Sequence, residues 1–228
     1  MRTKLLTLLL AFSAIASAQT FRVKGDVGTT QYDGLRLYVT KIDVADWHFN
    51  RVIDSTSVLN NGRFTLSMPI HEEPFLISLD LPLKGDEHHP EAYDLPSAQC
   101  IAEAVSIKIN YSDEGVTLKG GKMNADYERL ICQPARDAKK QVNAMAKRRA
   151  EAEQARPLTD EENEAFNVQL RQIYKANEPI LTQFVEKNIS NRVGATLFFG
   201  RSPNFYGQDT WNNLFASVPE AYKNQYLA

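Results

Sequence analysis

The stretch Asp54-Ser55-Thr56-Ser57-Val58-Leu59-Asn60-Asn61-Gly62-Arg63-Phe64-Thr65-Leu66-Ser67-Met68 decides how the first half of the chain is read. Asn-Gly tolerates positive φ at both central positions of a type I′ turn, and between alternating apolar residues it is the strongest local hairpin signal. With Asn61-Gly62 as the loop, Leu59 pairs with Phe64, Ser57 with Leu66 and Ser55 with Met68. One face is then apolar, while Thr56, Val58, Thr65 and Ser67 fall on the other. The expectation is a half-buried hairpin.

Working outward, the same two-residue period recurs. Phe21, Val23, Gly25 and Val27 alternate with polar neighbours, and Leu35, Leu37 and Val39 do so after a turn at Asp33-Gly34. Phe75, Ile77 and Leu79 follow, then Val105, Ile107 and Ile109, then Val116 and Leu118. Short strands separated by turn signals predict an antiparallel β-sandwich or partly open barrel over residues 19–120. Between Leu81 and Cys100 the pattern breaks into a long polar connection carrying Pro82, Gly85, Pro90 and Pro96.

After Gly120-Gly121 the period changes. Tyr127, Leu130, Ile131, Ala135, Ala138, Val142, Met145 and Ala146 recur at helical spacing, with a kink expected at Pro134 and an end at Pro157. Thr159-Asp160-Glu161-Glu162 is a capping box that starts a second helix, striped by Phe166, Leu170, Ile173, Ile180, Leu181, Phe184 and Val185 and bent at Pro179. Two helices joined by a short turn predict an antiparallel hairpin, followed by shorter helices capped near Asn191 and Ser217. Residues 121–228 thus read as a helical region packed on the sandwich, and the class is α+β.

The N-terminus has Arg2 and Lys4, a short apolar run from Leu5 to Phe12, and the small residues Ala16-Ser17-Ala18. That is the pattern of a secretory signal peptide cut after Ala18, which predicts a periplasmic or secreted protein with no transmembrane anchor. Loss of Arg2 and Lys4 from the 26 basic residues leaves 24 against 28 acidic ones. A net charge of about -4 gives no footprint for nucleic acid, so no nucleic-acid partner is expected. In an oxidising compartment Cys100 and Cys132 either pair, closing a loop of about 33 residues for roughly 3–4 kcal/mol, or stay separate thiols. Their spacing is not Cys-x-x-Cys.

Motifs that carry chemistry are sparse. Glu87, His88 and His89 are weak metal candidates, with Asp86, Glu91, His71, Glu72 and Glu73 nearby in sequence, but adjacent histidines on a loop need not converge. There is no His-Glu-x-x-His helix, no Gly-x-Ser-x-Gly elbow and no phosphate loop around Gly120-Gly121-Lys122. The basic run Lys139-Lys140 with Lys147-Arg148-Arg149 is interleaved with acids and reads as a solvated helix face. No catalytic residue and no cofactor is expected. Trp47-His48-Phe49 and the aromatics Phe198, Phe199, Phe205, Tyr206 and Trp211 read as the seam between sandwich and helices.

Phe21-Arg22-Val23-Lys24-Gly25, Asp54-Ser55-Thr56 with Asn61-Gly62-Arg63-Phe64, the passage from Val116 to Asn124, and Ser190 to Phe199 together resemble one known family. It is the domain of unknown function numbered 4369, which precedes thioredoxin-like domains of the thiol-disulfide oxidoreductase or peroxiredoxin type in Bacteroidota envelope proteins. Here Gly120-Gly121 stands where that family has Gly-Ser, and the chain stops where a thioredoxin-like domain would begin. The resemblance therefore implies a non-enzymatic exported module of the cell envelope that binds a protein partner, one accessory to thiol-disulfide systems. A sugar- or metal-binding accessory of nutrient uptake is the alternative reading.

Overall fold

The computed structural model describes residues 19–43, 51–81, 95 and 97–227. The expected signal peptide, the Trp47-His48-Phe49 segment and the metal candidates Glu87, His88 and His89 lie outside the described residues. Two four-stranded sheets are present. The first runs in the order β4 (Arg63–Ile70), β1 (Gln19–Asp26), β7 (Ser106–Ser112), β8 (Gly115–Lys119). The second runs β3 (Arg51–Ser55), β2 (Tyr38–Ile42), β5 (Phe75–Asp80), β6 (Ala98–Ala102). Helices follow, so the class is α+β.

In the first sheet the period of two becomes burial. Phe64, Leu66, Met68 and Ile70 of β4 are buried while Arg63, Thr65, Ser67 and Pro69 are exposed, so one face meets the core and the other meets water. Gly25 of β1 is paired with Phe64, and a Cβ at Gly25 would stand 2.0 Å from the Phe64 ring. The second sheet is different. Phe75, Leu76, Ile77, Ser78 and Leu79 are all buried, because β5 is covered by the first sheet on one face and by helix α5 (Arg192–Phe199) on the other. Burying each such large side chain contributes about 1.5–3 kcal/mol. The order is sheet, sheet, helices, with one apolar core running from Phe21 through Ile77 to Phe184, Phe198 and Val218.

The turn at Asn61-Gly62 forms as the sequence predicts, with φ of 51° and 69° and paired backbone bonds between Asn60 and Arg63. The long hairpin does not. Met68 pairs with Phe21 and Leu66 with Val23, whereas Ser55 pairs with Tyr38 in the other sheet, so the expected Ser57–Leu66 and Ser55–Met68 pairs are corrected. The chain crosses between layers here: residues 56–59 run beside 35–37, and the Ser57 N–H donates to Thr65 O at 2.8 Å. Thr56, read as outward-facing, is buried, accepting from the Leu37 N–H at 3.1 Å. A second correction concerns direction. β1 and β7 are parallel, while every other strand pairing is antiparallel.

Beyond Gly121 the chain enters α1 (Lys122–Tyr127), widens into a π turn (Glu128–Cys132) and continues as α2 (Gln133–Ala155). The π turn sits directly before Pro134, whose ring lacks an N–H and crowds the preceding carbonyls, so the expected kink takes the form of one wide turn. Thr159 and Glu162 make the reciprocal capping bonds that open α3 (Asp160–Lys175). The chain then breaks at Ala176-Asn177 and resumes as α4 (Glu178–Asn188), with Pro179 in its first turn. α2 and α3 pack as a hairpin with a small core of its own: Ala138, Met145 and Ile173 with Val142, Phe166 and Leu170. α5, capped by Asn191 on the Gly194 N–H, is followed by α6 (Pro203–Tyr206), α7 (Gln208–Ser217) and α8 (Glu220–Leu227). Their aromatics pack on one another, Phe198 stacking on Trp211 at 4.2 Å between ring centres, while α5 itself lies against β5.

Candidate functional site

Pro134 lines a groove whose other side carries Asn177 and Glu178, the two residues before Pro179. On one side the π turn and α2 contribute Leu130, Ile131, Pro134, Ala138 and Val142; on the other, Tyr174, Asn177 and Leu181 come from α3, the break and α4. Phe205 of α6 closes the end. Regular helices would bring these side chains together, whereas the wide turn before Pro134 and the break before Pro179 leave about 470 Å³ between them. The volume and the apolar lining are those of a small-molecule site. Ala135, Lys139, Tyr174 and Arg201 on the rim are exposed.

Many cations of the helices are held by carboxylates. Lys140 holds Glu114, Arg136 holds Glu128, Arg171 holds Glu164 and Lys187 holds Asp126. Lys139 and Arg201 line the groove and have no carboxylate within 4.0 Å among the described residues. The Arg201 guanidinium lies 5.7 Å from the centre of the Phe205 ring and donates to Gly200 O at 3.3 Å. Glu178 is the third charged group on the lining.

One wall of the groove also closes the sandwich. Leu130 is buried in the main core, and the same helical segment reaches both sheet edges. Asn124 accepts from the Ile101 N–H at 2.9 Å and donates to Ile101 O at 2.7 Å, taking the place of a neighbouring strand on β6. Glu128 accepts from the Leu118 N–H at 2.9 Å, and Arg136 donates to Val116 O and to Glu128, doing the same for β8. The groove wall is therefore fixed to the sheets by hydrogen bonds. The chain matches no family model, no curated protein and no solved structure.

Sequence-predicted site residues fall elsewhere. Cys100 is buried on β6 and Cys132 half-buried in the π turn, and both are free thiols. Burial, with Cys132 as a lesser influence, pushes the Cys100 thiol up; burial and then Glu128 push Cys132 up to about 12. Both are neutral at neutral pH, which is the unreactive form of a thiol. His71, Glu72 and Glu73 lie between β4 and β5. Glu72 bonds Lys41 and Arg192, and Glu73 accepts from Tyr222, so these carboxylates join the sheets to α5 and α8. Among the described residues no three His, Cys, Asp or Glu side chains converge as a metal site. No described helix is long and apolar enough to cross a membrane. Sequence reading missed the groove because Leu130, Ile131, Val142 and Leu181 look like ordinary core positions. The available signal was a proline in each of two facing apolar stripes.

Proposed function

We propose that the chain is a non-enzymatic, exported module of the cell envelope that works by binding, and that the groove at the root of the α2–α3 hairpin is its binding site. The observation that carries this is the groove itself: an apolar space of about 470 Å³ held open by the π turn and the helix break, on a wall anchored to both sheets. Such a wall is preorganised, so little ordering cost opposes a ligand. The test uses residues 19–228 and the uncharged dye Nile red. The dye should shift its emission on binding, and Ala135→Trp, which fills the groove from an exposed rim position, should remove the shift while the circular dichroism stays unchanged. An unchanged shift in that variant, or none in the parent, overturns the reading.

A protein partner is a second reading. Tyr38, Val52, Ile53 and Val58 are exposed apolar side chains on β2, β3 and the residues just after β3, and exposed apolar clusters commonly mark docking surfaces. The likeness to the 4369 family supports a partner in the thiol-disulfide systems of the envelope.

A further inference from the structure

We propose that the groove takes a free fatty acid, its alkyl chain against the apolar walls and its carboxylate met by Lys139 and Arg201; this rests on the groove being the binding site. Three observations select that class. Most of the lining, from Leu130 to Val142 on one side and Leu181 with Phe205 on the other, is apolar, with the polar groups of Tyr174, Asn177 and Glu178 beside it, which favours an aliphatic body. Lys139 and Arg201 both line the groove and have no carboxylate within 4.0 Å among the described residues, so the rim is complementary to an anion. Glu178 leaves the three charges of the lining at a sum of plus one, which suits a single carboxylate better than a doubly charged head.

The experiment displaces bound Nile red with dodecanoate, dodecanol and dodecyltrimethylammonium, three probes sharing one chain and differing in head charge. Dodecanoate should displace the dye at about tenfold lower concentration than dodecanol, the difference a charge-assisted bond supplies, and the ammonium should be the weakest. Lys139→Ala with Arg201→Ala, both at exposed positions, should erase that advantage and leave dodecanol unchanged. Glu178→Gln should tighten dodecanoate further. Equal displacement by all three probes, or a double variant that still prefers dodecanoate, overturns the fatty-acid assignment while the groove remains a binding site. Dye binding that none of the three probes displaces also overturns it. Absence of dye binding overturns the site and the assignment together.

Discussion

At the scale of single residues, the Asn61-Gly62 turn is tightly constrained. Both residues have positive φ, and the Asp33 carboxylate accepts from the N–H of each at 2.9 Å. A Cβ at Gly62 would lie 2.7 Å from Thr29 O, a backbone atom that cannot swing away. Gly62→Val therefore combines a steric clash with a β-branched residue at φ 69°. Unfolding in urea should show a loss of about 2 kcal/mol or more. Asn61→Gly, which keeps the conformation free of strain, should stay within about 0.5 kcal/mol. A Gly62→Val midpoint equal to that of the parent would sink this account.

At the scale of elements, the sheets are defined by how their edges are closed. β8 is covered by Glu128 and Arg136, β6 by Asn124, and β4 by Ser57, whose hydroxyl accepts from the Thr65 N–H at 2.9 Å. β3 carries a bulge opposite Val39 and Thr40, and its Ser55 N–H is taken by Asp54 at 2.7 Å. Open edges invite pairing with other chains, and each device removes donors or acceptors from reach. Asn124 is fully buried, so Asn124→Ala leaves the N–H and C=O of Ile101 without partners. The expected loss is about 2–4 kcal/mol in chemical denaturation, against little change for Lys122→Ala on the exposed side of α1. A loss below about 1 kcal/mol would show that water replaces the asparagine. Nothing in Asn124 as a letter announces this role: it falls inside a helical stripe, and its partner Ile101 is 23 residues away. The capping box at Thr159, by contrast, was legible, since its partners lie three residues apart.

Across the whole molecule, the sheets and the C-terminal helices are joined by a charged clasp. Glu72 reaches Lys41 of β2 at 2.7 Å and Arg192 of α5, while Glu73 accepts from Tyr222 of α8. Burial alone would raise the Glu72 pKa, yet the hydrogen bonds from Lys41 and Arg192 outweigh it and hold the carboxyl below its ordinary range. Asp126, bonded by Lys187 and Arg129, is lowered as well. A carboxylate whose folded pKa is depressed contributes stability above its unfolded pKa, about 4.3 for Glu, and loses it as pH falls through the folded value. The urea midpoint should therefore drop between pH 7 and pH 3, and Glu72→Gln should show a smaller drop than the parent. An identical pH dependence in the two proteins would remove the clasp from the account.

What the amino-acid sequence determined by itself was local. Periods of two and of three to four, the Asn61-Gly62 turn and the Thr159 cap act within a few residues and are found where they are expected, while Pro134 lies next to a π turn and the helix expected to bend at Pro179 is broken just before it. What only the tertiary structure decided was which elements share a layer. The strands around Asn61-Gly62 part into different sheets because β4 finds β1 and β3 finds β2, and burial of Leu76 and Ser78 beside Ile77 and Leu79 shows β5 covered on both faces. The groove belongs to this second kind. Its apolar residues are indistinguishable in sequence from core, and some of them, Leu130 and Ala138 among them, are core as well as groove wall, beside a π turn and a helix break.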